Sequence, residues 1–189
     1  MEQGSNTDAA SLELQLQAIR SHRPRKWPGL GLRNSAVLIP IQEGEKPQIL
    51  YTMRAAHLKH HPGQISFPGG RIEPGESPWQ AAQREAMEEI GLPSSRVHKI
   101  GRIDDVVSPR GFHVQCFVAR VEAFEPRINR DEVDCIVRVE LGELFERQRH
   151  ETKLWRGLKK LHYFHFEEGM VWGVTGQITF YLREILSRP

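Results

Sequence analysis

The sequence predicts a single α/β domain in which helices cover a mixed β-sheet. The chain has 189 residues, which suits one domain of ordinary size. Hydrophobic residues make up 39% of it, enough to build a core. Segments with strand and helix patterns follow one another without strict alternation, which favours a mixed sheet over a parallel one. We expect residues 1–10 to form a disordered tail and 11–189 to form the domain.

The elements can be justified in chain order. Leu12, Leu16 and Ile19 recur at helical spacing and predict a helix over 11–21, followed by a loop rich in Pro and Gly. Short apolar runs bounded by Gly and Pro predict strands. These strands cover 35–41, 48–54, 97–107, 112–121 and 135–139, and 163–166 pairs with 170–172. Helices are expected at 78–90, at 141–147 and at about 175–187.

Residues 55–76 contain repeated Pro-Gly pairs and predict an irregular segment. So long a structureless segment in a compact domain is usually functional. The helix after it is marked at both ends. Ser77 is a good N-cap, Pro78 suits the first helical position, and Gln80 completes a capping box. Gly91 suits the position just after the last turn.

A helical wheel at ~100° per residue separates two faces of this helix. Ala82, Ala86 and Ile90 form a stripe that can pack on the sheet. Three carboxylates share the flank beside the stripe, those of Glu85, Glu88 and Glu89. Like charges at these spacings repel, and a hard divalent cation would turn the repulsion into attraction. Arg84 lies one turn from Glu88 and can hold a carboxylate in place.

The run from Gly70 to Leu92 resembles the Nudix box, GX5EX7REUXEEXGU, at every fixed position. Ala86 stands where a larger aliphatic residue is more usual. The resemblance implies an α/β/α sandwich with a loop–helix–loop catalytic motif. It also implies a hydrolase that acts on a nucleoside diphosphate linked to another group. Metal ions would neutralise the diphosphate and activate a water, and a glutamate would accept its proton.

The Nudix resemblance also implies roles for particular residues. Glu85 and Glu89 would be direct ligands of Mg²⁺ or Mn²⁺, and the Gly70 carbonyl would face the same ion. Glu88 would be a further ligand or the base, and Arg84 would orient a glutamate. Glu132 is a second candidate for the base, because Nudix proteins often bring a distant acidic residue to the site.

The segment from Leu50 to Gly70 is similar to the extra signature of the coenzyme A pyrophosphatase branch, LLTxRS…GQxxFPGG. Ala55 replaces the usual serine and Tyr51 replaces a leucine. The resemblance implies cleavage of coenzyme A or acyl-CoA to 3′,5′-ADP and 4′-phosphopantetheine or its acyl form. Residues expected to contact this substrate are Arg54, Gln64, Phe67 and Gly69.

Other readings stay open at this point. The ligand could be NADH, ADP-ribose or a nucleoside triphosphate, and a non-catalytic ligand sensor could be built on the same fold. The net charge of +2 and the lack of a basic stripe disfavour a nucleic-acid partner. No apolar run approaches ~18 residues, so we expect no membrane partner. The two cysteines suit a reducing cytoplasm. We expect a small-molecule partner, and a homodimer is compatible with the sequence.

Overall fold

The computed structural model describes residues 4–28, 31–155 and 159–188. Its helices are α1 (Gly4–Ser21), α2 (Pro78–Ile90) and α3 (Gly173–Leu186). Its strands are β1 (Arg33–Gln42), β2 (Gln48–Arg54), β3 (Ile65–Ser66), β4 (Gly69–Arg71), β5 (Val97–Arg102), β6 (Val106–Val107), β7 (Phe112–Val121), β8 (Val133–Glu140), β9 (His150–Trp155), β10 (Lys159–Phe166) and β11 (Gly169–Val171). No helix in the described ranges is long and apolar enough to cross a bilayer.

The main sheet has eight strands and is mixed, as predicted. Its central order is β3-β2-β1-β7-β5, and β4, β6 and β8 attach to β1, β7 and β2. The central pair, β1 and β7, runs parallel over its whole length, from Arg33 opposite Phe112 to Gln42 opposite Val121. The other pairs in this sheet are antiparallel. The predicted α/β class is therefore confirmed.

Alternating side chains of the central strands build one core on each face of the sheet. On β1, Ala36 and Leu38 join a cluster with Ala82, Ala86 and Ile90 of α2. The neighbouring β1 positions point the other way, into a cluster shared with α1 and α3. Helices therefore cover both faces, which is the α/β/α sandwich that the sequence led us to expect.

A second, three-stranded sheet has the order β11-β10-β9. Phe164 pairs with Val171 and Phe166 with Gly169, which confirms the predicted strand pair around Glu168. Strand β9 was not predicted from the sequence. The short helix predicted at 141–147 is wrong in kind, because this stretch forms two 3-10 turns, Leu141–Phe145 and Arg147–Arg149.

Three other boundaries differ from the prediction. Helix α1 begins at Gly4, although we expected a tail over 1–10, of which 1–3 lie outside the described residues. Good helix formers at Ala9 and Ala10 favour this extension. The strand expected at 97–107 divides into β5 and β6. Asp104 lies between them, and its carboxylate accepts hydrogen bonds from His22 and Arg25. The irregular 55–76 segment contains the short strands β3 and β4.

Candidate metal and catalytic site

The helix that carries the acidic residues is fixed at both ends by its own sequence. The Ser77 hydroxyl accepts a hydrogen bond from the Gln80 N–H at 3.3 Å, and the Gln80 side chain accepts from the Ser77 N–H at 2.8 Å. At the other end Gly91 has φ +69°, a left-handed conformation that favours glycine. Helix α2 spans 78–90, as predicted, so the spacing of its carboxylates is fixed.

Arg84 is the centre of an ion-pair network at the start of the site. Its guanidinium donates two hydrogen bonds to the Glu76 carboxylate, at 3.1 and 2.9 Å. It also donates to Glu85 at 3.0 Å, to Glu88 at 2.9 Å, and to the carbonyl oxygen of Arg71 at 2.9 Å. These bonds lower the pKa of Glu76, chiefly through the contact with Arg84. Arg84 therefore contacts three carboxylates, those of Glu76, Glu85 and Glu88.

Glu89 is the most unusual group of the site. Its side chain is buried, with the residue only 4% exposed, and its Oε2 has no hydrogen-bond partner in the described part of the chain. Burial, followed by the negative charges of Glu85 and Glu132, raises the pKa of Glu89 to about 8. Burial also raises the pKa of Glu85. A buried, unpaired carboxylate is costly, and a cation would relieve that cost.

The strand β4 brings backbone directly against these carboxylates. A Cβ atom at Gly70 would lie only 2.2 Å from Oε1 of Glu85, so no larger residue fits there without moving that side chain. The N–H of Gly69 faces Glu89 and favours its charged form. The structure therefore brings Gly69 and Gly70 together with Glu85 and Glu89.

Glu132 also belongs to this group, although it is distant in sequence. It lies in an exposed turn just before β8, and its charge raises the pKa of both Glu85 and Glu89. Its carboxylate therefore stands near both. Glu88, the other candidate for the base, has a half-exposed side chain and bonds to Arg84.

The residues expected to contact substrate lie in two different environments, near the acidic group and in the core. The positive charge of Arg54 lowers the pKa of Glu89, so Arg54 lies within electrostatic range of that carboxylate. The Arg54 N–H donates to the Gln64 carbonyl oxygen at 3.0 Å, which places Gln64 beside it. Phe67 is different: it is 3% exposed and stacks on Tyr51 with ring centroids 4.5 Å apart. Its side chain therefore belongs to the core, and our prediction of a substrate contact there finds no exposed surface.

The donors present fit a hard divalent cation. Carboxylates and a main-chain carbonyl are the ligands that Mg²⁺ and Mn²⁺ prefer, and Glu89 offers an oxygen with no other partner. Across the described residues, no three acidic, His or Cys side chains converge closely enough to bind a metal by themselves. The reason is visible at Glu85 and Glu88, which are both drawn to Arg84.

Two further residues of the site had no role in the sequence predictions. Glu76 is partly buried, pairs with Arg84 and fixes its orientation, and its position just before the N-cap could have indicated this. Asn129 shapes the turn before Glu132. The signal available in the sequence was the asparagine itself, because Asn side chains often bond the backbone two residues ahead in turns.

Known proteins share both the sequence and the fold. The family model described as NUDIX domain matches residues 32–168. The chain is 37% identical over 160 residues to a protein of Yersinia pestis (strain Pestoides F) named "Uncharacterized Nudix hydrolase NudL"; the match covers 82% of this chain and 80% of that protein. A relative with the same name in Yersinia pseudotuberculosis (strain IP 31758) matches equally well.

Two solved structures have a similar fold. A MutT/nudix family protein from Enterococcus faecalis matches 91% of this chain and 66% of that chain, with TM-score 0.57 and 13% identity. An Ap4A hydrolase of C. elegans, solved as a binary complex, matches 57% of this chain and 80% of that chain, with TM-score 0.50 and 20% identity. At these identities the two structures support the fold alone.

Proposed function

The chain belongs to the Nudix family of pyrophosphohydrolases, and we propose that its substrate is coenzyme A or acyl-CoA, whose diphosphate it cleaves. The products are 3′,5′-ADP and 4′-phosphopantetheine or its acyl form. The observation that carries this proposal is the segment from Leu50 to Gly70. It resembles the coenzyme A pyrophosphatase signature, and it runs from β2 through Arg54 and Gln64 to the glycines beside Glu85 and Glu89.

The charge of this segment supports an anionic, extended ligand. Arg54 lies near the carboxylate of Glu89, and a guanidinium can bind a phosphate through two parallel hydrogen bonds. Four exposed residues of the following loop add further positive or titratable charge, namely His57, Lys59, His60 and His61. Coenzyme A carries a 3′-phosphate besides its diphosphate, so it would benefit from this additional charge.

Each residue of the site has a role in this proposal. Glu85, Glu89 and the Gly70 carbonyl would hold Mg²⁺ or Mn²⁺, with Glu88 as a further ligand. The bound ion would neutralise phosphoryl oxygens and lower the pKa of a bound water. Arg84 keeps the glutamates aligned, and Arg54 orients the diphosphate.

We assign the general base to Glu132 in preference to Glu88. Glu132 stands near both Glu85 and Glu89 and is exposed, so it can accept a proton from a water that attacks the diphosphate. Glu88 is bonded to Arg84, so its carboxylate is already engaged as a hydrogen-bond acceptor.

Product identification tests the proposed substrate. The purified protein, with Mg²⁺ or Mn²⁺, is incubated separately with coenzyme A, an acyl-CoA, NADH, ADP-ribose and a nucleoside triphosphate, and the products are identified by mass spectrometry. We expect 3′,5′-ADP and 4′-phosphopantetheine from coenzyme A, and none from a Glu85→Gln variant. Turnover of another compound without turnover of coenzyme A would contradict the proposal. Tight binding without turnover of any of them would indicate a ligand sensor.

The proposal also includes a compartment. Both cysteines are free, with Cys116 buried and Cys135 half-buried. Free thiols suit a reducing environment, and we therefore place the enzyme in the cytoplasm.

A further inference from the structure

The turn that carries Glu132 is fastened to the carboxyl end of α2. The N–H groups of Arg127 and Asn129 donate to the carbonyl oxygens of Ile90 and Glu89, each at 3.0 Å. The last carbonyl groups of a helix have no partner within the helix, so they are available to hold a neighbouring segment. The main chain of Asn129 is thereby fixed to that of Glu89.

Asn129 also shapes the turn itself. Its carbonyl oxygen accepts hydrogen bonds from the N–H groups of Glu132, at 3.1 Å, and Val133, at 2.9 Å. Its side-chain oxygen accepts from the N–H of Asp131 at 3.1 Å. A side chain that bonds the backbone two residues ahead stabilises a turn. The main chain of residue 129 therefore links Glu132 to Glu89, and the Asn129 side chain stabilises the turn between them.

The far side of the same turn holds the start of the 55–64 loop. The Glu132 carbonyl oxygen accepts from the Ala55 N–H at 2.9 Å. The carboxylate of Asp134 accepts from the Ala56 N–H at 3.1 Å. The segment 127–134 thus contacts both the helix with the acidic residues and the loop that follows Arg54.

We propose that Asn129 is a positioning residue that holds the Glu132 carboxylate beside Glu85 and Glu89, while Asp134 positions the 55–64 loop for substrate. This inference rests on the role proposed above for Glu132, and it adds two residues that touch neither substrate nor metal. According to this inference, two residues of the segment 127–134 serve different functions, one in the chemical step and one in substrate binding. Loss of the Asn129 side chain impairs the chemical step, and loss of the Asp134 side chain impairs substrate binding.

A double-mutant cycle tests the role of Asn129. We expect Asn129→Ala to lower kcat about tenfold with little change in KM, because the turn loses one side-chain bond and Glu132 loses its fixed place. In a Glu132→Gln background the same substitution should cost nothing further, since residues that act as one unit are not additive. Asn129→Asp keeps the oxygen that accepts the Asp131 N–H and should restore kcat to within about twofold.

Two controls distinguish positioning from a general effect on folding. Asp131→Ala removes an exposed carboxylate of the same turn but leaves the main-chain N–H that bonds Asn129, so kcat should stay unchanged. Asp134→Ala should raise KM with kcat retained. If Asn129→Ala melts below the assay temperature, the whole cycle is measured at a lower temperature at which all four proteins are folded.

The outcomes separate this inference from the proposed function. The cycle is measured with whichever nucleotide the enzyme turns over, so failure of coenzyme A as substrate leaves the inference testable. An impaired Glu132→Gln enzyme in which Asn129→Ala still costs tenfold would overturn the inference alone. A fully active Glu132→Gln enzyme would overturn both the base assignment and the role of Asn129.

Discussion

At the scale of single residues, the site depends on Glu89. The fold buries this carboxylate, and none of the described residues donates a hydrogen bond to its Oε2. Glu89 has the i+4 spacing from Glu85 that the wheel predicted, but its burial could not be seen in the sequence. Burial arises because β4 passes directly against α2. The helix alone would leave the same carboxylate half in solvent. The same close approach leaves no space for a side chain at Gly70.

The raised pKa of Glu89 predicts how stability changes with pH. The folded protein holds the Glu89 proton up to about pH 8, whereas the unfolded chain releases it near 4.5. The contribution of this group to stability is therefore complete below pH 4.5 and is lost as pH rises through 8, by at most about 1.4 kcal/mol per pH unit. We expect Glu89→Gln to remove this dependence, so that its metal-free melting temperature exceeds that of the wild type at pH 8 but not at pH 4.5. Equal differences at both pH values would contradict this account of Glu89.

The hydrogen-bond network around Arg84 predicts that a positive charge at this position is not enough for full activity. Arg84→Lys keeps a positive charge but loses the paired bonds to Glu76 and the bonds that align Glu85 and Glu88. We expect kcat to fall by about 10²-fold, comparable with the loss of one well-placed catalytic contact. Steady-state kinetics measures this.

Arg96→Lys is the matched control for that substitution. Arg96 pairs with Glu122 at 2.9 Å in an exposed position outside the Arg84 network, and its replacement should leave kcat unchanged. If Arg84→Lys behaved like this control, Arg84 would have no orienting role.

At the scale of elements, α2 could be predicted to the residue because its signals are local. Ser77, Gln80 and Gly91 fix its ends without help from the rest of the fold. The strand β9 could not be predicted for the opposite reason. His150–Trp155 is a mostly exposed edge strand with little apolar alternation, and it forms because β10 offers it a partner. The burial of Phe67 could not be predicted either, since only the tertiary fold stacks its ring on Tyr51.

The capping box predicts a measurable contribution to the stability of α2. Ser77→Ala removes the oxygen that accepts the Gln80 N–H, and we expect a loss of about 1 kcal/mol in the free energy of unfolding. Chemical denaturation measures it. Ser94→Ala is a suitable control, because Ser94 lies in a 3-10 turn where no side-chain cap is formed. A Ser77→Ala protein as stable as the control would show that tertiary packing alone fixes this end of the helix.

At the scale of the whole molecule, the sandwich separates stability from chemistry. The larger core lies on the face covered by α1 and α3, and the acidic helix covers the other face. The sequence predicted the layers and the mixed sheet. Residue patterns alone did not predict that segments as distant as β4 and the turn at Glu132 converge on α2, because contacts between distant segments leave no periodic pattern. Only the Nudix resemblance led us to expect Gly70 and Glu132 at this site.

This separation predicts the effect of a core substitution far from the site. Leu182 is fully buried in the core on the α3 face. We expect Leu182→Ala to lower the free energy of unfolding by about 2–5 kcal/mol through the cavity it creates. Below its melting temperature, kcat/KM should stay within about twofold of the wild type, because no catalytic contact is lost. A much larger loss of kcat/KM in the folded variant would show that the two faces are coupled.

The central claim is that Glu85 and Glu89 together bind a divalent cation, and a Mn²⁺ titration followed by electron paramagnetic resonance tests it most directly. We predict that the wild type binds Mn²⁺ and that Glu85→Gln and Glu89→Gln each weaken binding by at least about tenfold, since each removes a charged ligand. Glu122→Gln, which removes a carboxylate outside the site, should bind as the wild type does. Equal Mn²⁺ affinity in all four proteins would contradict the claim.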